Sequence, residues 1–118
     1  NQQQLISDLA QYTGTSGYYR MYANFYLTDG TKYLAETVGC YWLMDAIASH
    51  VMHLGSNKGF TSCSLTCANG SGNLVITDGN GNTLAKQRIP YTDFPFGEMS
   101  LYACRNEDKW VILLPSEY

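Results

Sequence analysis

Phe60-Thr61-Ser62-Cys63-Ser64-Leu65-Thr66-Cys67-Ala68 is the stretch whose reading decides the fold. Cys63, Leu65 and Cys67 fall on one side of an extended chain, and Ser62, Ser64 and Thr66 on the other. Alternation with period two describes a β-strand with one buried and one polar face. Asn69-Gly70-Ser71-Gly72 follows as a turn, and Asn73 to Thr77 reads as the next strand. Asp78-Gly79-Asn80-Gly81-Asn82 is a second turn, since Gly, Asn and Asp accept the backbone angles that reverse a chain. Thr83 to Ile89 pairs back. Pro90 to Gly97 holds two prolines and reads as a loop. Glu98 to Cys104 and Lys109 to Leu114 form strands around a turn at Asn106 to Asp108. Trp110-Val111-Ile112-Leu113-Leu114 has no polar alternation, which predicts a central strand covered on both faces. Pro115 ends it.

Toward the N-terminus the period changes. Leu5, Leu9 and Tyr12, widened by Ile6, predict a helix from Gln2 to Tyr12, stopped by Gly14. Arg20 to Thr28 is aromatic and reads as one strand, with Asp29-Gly30 as a sharp turn after it. Thr31 to His53 reads as helix, broken near Gly39 and ended by Gly55. On its wheel Cys40, Leu43, Met44, Ile47 and Val51 form an apolar face, opposite Trp42, Asp45, Ser49 and His53. The predicted fold class is therefore α+β. It is an antiparallel sheet of about five strands, in the order α-β-α-β-β-β-β, with helices packed on one face.

The 118 residues correspond to a single domain with a core large enough to need no metal or disulfide staple. The net charge of −3 and the absence of any Lys/Arg block argue against binding a nucleic-acid backbone directly. No apolar run approaches a membrane span. Four cysteines, Cys40, Cys63, Cys67 and Cys104, lack the density of a disulfide scaffold; reduced thiols in a cytoplasmic protein are expected.

Chemistry-bearing patterns are sparse. Gly39-Cys40-Tyr41-Trp42 places a thiol near a helix start, where a thiolate would be favoured. Its two possible bases, His50 and His53, lie further along the same helix; ten residues correspond to about 15 Å, too far for a dyad. Cys40 is expected in the core. Cys63 and Cys67, about 13 Å apart on a straight strand, cannot share a zinc ion. No catalytic residue, metal site or cofactor is assigned. His50 and His53, with Asp45 and Trp42, could line the mouth of a pocket between helix and sheet. Tyr22 and Tyr26 are read as sharing a strand face with Tyr18 and Arg20. Tyr and Arg supply contact area with a polar tip, the chemistry of binding hot spots. Tyr18, Arg20, Tyr22, Tyr26 and Trp42 are therefore the candidate partner-binding residues.

Two sets of segments carry a resemblance. Leu27-Thr28-Asp29-Gly30-Thr31-Lys32-Tyr33-Leu34-Ala35-Glu36, with Tyr41-Trp42-Leu43 and Asp45-Ala46-Ile47-Ala48-Ser49, form the first. Tyr91-Thr92-Asp93-Phe94-Pro95, Leu101-Tyr102 and Leu113-Leu114-Pro115-Ser116-Glu117-Tyr118 form the second. Together they resemble a family of small bacterial proteins of unknown function, met on phages, plasmids and other mobile elements. The resemblance covers Tyr12 to Tyr118 and implies no catalytic residues. It implies an accessory role, such as inhibiting a host defence system of the CRISPR type. The expected function is a small, cofactor-free module that binds a protein partner. A small enzyme or ligand binder near Trp42 and His53, and a structural homo-oligomer, are the alternatives.

Overall fold

The computed structural model describes residues 2–54 and 59–118. Its elements in chain order are α1 (Gln2–Leu9), β1 (Tyr18–Tyr22), β2 (Phe25–Thr28), α2 (Asp29–Val38), α3 (Tyr41–Val51), β3 (Phe60–Ala68), β4 (Ser71–Thr77), β5 (Thr83–Ile89), β6 (Glu98–Asn106) and β7 (Lys109–Leu113). A 3-10 turn, Pro115–Glu117, follows. The expected α+β class holds. The strands form one seven-stranded sheet in the order β1-β2-β7-β6-β3-β4-β5.

That sheet is larger than the expected five strands, and it is mixed. The stretch from Arg20 to Thr28 is a hairpin and not one strand: Ala23 takes φ 50° and reverses the chain before Phe25. Alanine rarely adopts that region, so the turn carries no compositional signal. β2 then pairs with β7 in parallel, Phe25 beside Trp110 and Leu27 beside Ile112. The other pairings are antiparallel. β7 lies between β2 and β6, the central position expected from its unbroken apolar run.

Asp29-Gly30, expected as a turn, instead opens α2. Thr28 is the N-cap and Thr31 completes a reciprocal capping box. Gly39 at φ 74° ends α2, which is the expected break, and α3 ends at Val51, short of His53. Gly55 lies outside the described residues.

Strand alternation places the core on one side. Phe25, Leu27, Cys63, Leu65, Leu74, Ile76, Leu101, Ala103, Trp110 and Ile112 face Leu34, Leu43, Met44, Ile47 and Val51 of the helices. Among the described residues no α-helix packs over the opposite face. It shows Tyr26, Val111, Cys104, Phe60, Tyr102, Ser62, Ser64, Ser100, Val75 and Thr77 in register across the strands.

The chain's end is pinned to its middle. The Glu117 carboxylate accepts from Thr28 Oγ1 (2.6 Å), the Gly30 amide (3.0 Å) and the Leu114 amide (2.9 Å). It thus lies at the amino end of α2, where free N–H groups and the helix dipole favour an anion. A Cβ on Gly30 would come within 2.5 Å of Leu114 Cδ1 and 2.7 Å of Glu117 Oε1, so a side chain there would have to displace both groups from this contact. The Thr28-Asp29-Gly30 and Leu114-Pro115-Ser116-Glu117 segments, 84 residues or more apart in the chain, form one interlocking joint.

Candidate functional site

The joint sets the position of Tyr118. Its ring lies 5.5 Å from Phe60 and 5.4 Å from Tyr102, and those two rings are 4.9 Å apart, all edge to face. Such contacts between aromatic rings are favourable beyond simple burial. The cluster stands on the uncovered face of the sheet. Beside it lies a cleft of 180 Å³ lined by Tyr18, Cys104, Val111, Leu113, Glu117 and Tyr118, among others. Tyr118 is 76% and Tyr18 63% exposed. The uncovered face therefore presents aromatic surface to solvent at Tyr18 on β1 and at Tyr118 over the middle strands β6 and β3.

Of the predicted partner-binding residues, Tyr18, Arg20 and Tyr26 share this face: Tyr18 stands opposite Thr28, and Arg20 opposite Tyr26. Arg20 Nε donates to the Ala23 carbonyl at 2.9 Å, and Lys109 Nζ lies 5.7 Å from the Tyr26 ring centre. Tyr22 departs from the set. A register shift between Arg20 and Tyr22 turns it to the helix side, where its ring lies 5.8 Å from Phe25. Its hydroxyl donates to Asp45 Oδ1 at 2.6 Å, which pushes the phenol up to about 12. Bulges re-aim side chains in this way. Phe60, Tyr102 and Tyr118 were missed by the sequence reading. Their signal was the polar-side parity of β3 and β6, where Phe60 and Tyr102 alternate with the buried residues.

The expected pocket of Trp42, Asp45, His50 and His53 does not assemble. Asp45 is taken up by Tyr22, His50 Nε2 shares a 2.8 Å hydrogen bond with Gln87 Oε1, and His53 is exposed beyond the end of α3. These residues follow the outer stripe of a helix, which is convex. Trp42 turns the other way, packs at 84° on Phe94 with centres 6.4 Å apart, and lines an open groove of 680 Å³ with Gly70, Ile89, Tyr91, Thr92 and Asp93.

The two buried thiols are held protonated by their surroundings. Cys40 sits at the N-cap of α3, but it is fully buried and burial pushes its thiol up to about 12. Cys63 is raised likewise. All four sulfurs are unpaired. Asp29, at the start of α2, accepts from the Tyr19 hydroxyl (2.7 Å) and the Ser16 amide (2.8 Å), which hold its carboxyl at about 2. It ties the loop before β1 to the helix. Among the described residues no group of three or more His, Cys, Asp or Glu could hold a metal ion.

A family model matches residues 3–118, nearly the whole chain, and its description is a family of unknown function, DUF6876. The chain belongs to that family. No curated protein matches the DUF6876 chain. Among solved structures it is similar to a protein of unknown function from Enterococcus faecalis. The identity is 17%, the match covers 83% of this chain and 98% of that one, and the TM-score is 0.54. That likeness places the DUF6876 chain with a solved fold and speaks to the fold alone. No helix among the described residues is long and apolar enough to cross a membrane.

Proposed function

We propose that this chain is a protein-interaction module that docks its partner on the uncovered face of the sheet. The observation that carries the reading is an aromatic surface of exposed Tyr18 and Tyr118 with half-buried Tyr26 and Tyr102, on a sheet face with no α-helix over it among the described residues, with Arg20 and Lys109 beside it. Aromatic rings with a polar tip, next to Arg, are the side chains that dominate binding energy at protein interfaces. Phe60, Tyr102 and Tyr118 brace one another, so their contact surface is ordered before a partner arrives, which lowers the entropy cost of docking. The unpaired thiols favour a reducing, cytoplasmic setting.

The test is affinity capture of tagged protein from lysate of the native host, followed by mass spectrometry. The expected result is a stoichiometric partner that is lost from a Tyr26→Ser/Tyr118→Ser variant and retained by His53→Ala. Loss in both, or in neither, would move the interface elsewhere. A clean lane with doubled solution mass would support self-association instead. A narrower form of the proposal, inhibition of a defence system such as CRISPR by a mobile-element protein, draws on the family resemblance alone. Protection of an invading plasmid on expression of the chain would support it.

The groove at Trp42 favours a second reading, a small-ligand site. Its volume is 680 Å³, and Asp93 and the Trp42 indole are its polar and aromatic walls. Quenching of Trp42 fluorescence across a metabolite panel, absent in Trp42→Phe, is its test.

A further inference from the structure

The seven basic residues are scattered singly along the chain, but the fold gathers four of them. Arg20 faces Tyr26 on the uncovered side, and Lys109 lies against the same ring. Lys86 pairs with Val75, and Arg88 with Asn73, so both project from the same face at the β5 edge. Among the strand residues with that parity, only Glu98 is acidic. The helices on the other side carry Asp8, Asp29, Glu36 and Asp45 against Lys32 alone. The uncovered face thus carries Arg20, Lys86, Arg88 and Lys109 against Glu98 and the hydrogen-bonded Glu117 of its cleft, whereas the helices themselves carry four carboxylates against one lysine.

Lys86 and Arg88 have no hydrogen-bond or ion-pair partner among the described residues. Two unpaired cations on one edge strand also discourage edge-to-edge pairing. That role does not account for Arg20 on β1 and Lys109 on the inner strand β7.

From this charge separation the geometry points to an acidic protein surface as the occupant of the uncovered face. The inference rests on the interaction reading above and names the chemistry of its partner. Complementary potentials steer encounter, exclude wrong partners and fix register. The cations stand in two pairs, Arg20 on β1 with Lys109 on β7, and Lys86 with Arg88 on the β5 edge. Six strand spacings of ~4.8 Å separate β1 from β5 by roughly 29 Å, with Ser62, Ser64, Ser100 and Thr77 between them. Carboxylates presented at two places on a folded surface match that arrangement. A single-stranded nucleic acid requires a continuous basic track along its phosphates. A second copy would meet the same basic face with its own.

The experiment measures retention of the full chain on poly-L-glutamate, poly-L-lysine and oligo(dT) supports between about 0.05 M and about 0.3 M NaCl, over which the screening length shortens from about 14 Å to about 6 Å. The expected result is binding to poly-L-glutamate that salt removes. It should fall at least about tenfold in an Arg20→Glu/Lys86→Glu/Arg88→Glu/Lys109→Glu variant and be unchanged by Lys32→Glu on the helical side. Lys86→Glu/Arg88→Glu alone serves if the fourfold variant fails to fold, and should give a partial loss. Equal retention of parent and variants on poly-L-glutamate, or preference for poly-L-lysine, overturns the proposal. Tighter binding to oligo(dT) replaces the protein partner with nucleic acid and overturns it as well. If lysate yields a partner that is lost with Tyr26 and Tyr118 but indifferent to charge reversal and to salt, the interaction reading stands and this inference falls.

Discussion

Replacing Glu117 by Ala should be among the most damaging changes available outside the core. The carboxylate accepts three hydrogen bonds, two of them from Thr28 and Leu114, which are 1% and 4% exposed. A hydrogen bond to a charged group contributes about 1.5–3 kcal/mol, and an anion at a helix start about 0.3–1 kcal/mol. Glu117 is half-buried, so water replaces part of what is lost. The expected net cost is about 2–3 kcal/mol. With a urea slope of about 1.5 kcal/mol/M, the unfolding midpoint should drop by about 1.3–2 M at unchanged slope. Fluorescence of Trp42 and Trp110 follows the transition. Gly30→Ala should cost a similar amount, because its methyl displaces the same carboxylate. The double variant should then be well short of additive. A midpoint within about 0.3 M of the parent for Glu117→Ala, or strict additivity with Gly30→Ala, would refute the joint as a source of stability.

Other outcomes follow from the same geometry. The Tyr22 hydroxyl is raised from 10.0 to about 12 by its bond to Asp45, so it favours the folded state fully below pH 10 and ceases to as pH rises through about 12. Tyr22→Phe should flatten the alkaline limb of the stability profile; an unchanged limb counts against the Tyr22–Asp45 bond. Asp29 is depressed from 3.8 to about 2, so its contribution is present above pH 3.8 and lost as pH falls toward 2. Asp29→Asn should remove that part of the acid limb, read by circular dichroism against pH. Cys40 and Cys63, raised to about 12 by burial, should stay unmodified by a thiol reagent at pH 8 until the protein unfolds. Prompt modification of all four thiols in the folded protein would contradict their placement.

What the sequence made legible was whatever repeats locally. The alternation of Phe60 to Ala68, the Gly/Asn turns at residues 69–72 and 78–82, the apolar run of β7 and the break at Gly39 each depend on neighbours in the chain, and each has its place in the structure. What stayed hidden depended on distant partners or on a backbone state without a residue signature. The hairpin at Ala23 belongs to the second kind, and the parallel pairing of β2 with β7 to the first. Asp29-Gly30 looked like a turn because the same residue types start helices, and the glycine answers to Glu117, which no local window contains. The candidate site followed the same division. Tyr18, Arg20 and Tyr26 share a face as parity suggests, whereas Tyr22 crosses at the bulge. Trp42, Asp45 and His50 along α3, and His53 beyond its end, found four different surroundings. Phe60, Tyr102 and Tyr118 become one surface only when β3, β6 and the chain's end meet.

The position of β7 also orders events during synthesis. β2 borders it in the finished sheet, yet β7 leaves the ribosome roughly eighty residues after β2, a delay of several seconds at about 5–20 residues per second. Until then the N-terminal hairpin has a bare strand edge on one side, and β6 has another. Pairing of such sequence-distant strands is slow, because the loop between them must close before any bond rewards it. In the nascent chain the two parts of the sheet are therefore separate bodies, each with an edge that a chaperone or a neighbouring polypeptide can reach, and the last strand is the splice that removes both at once.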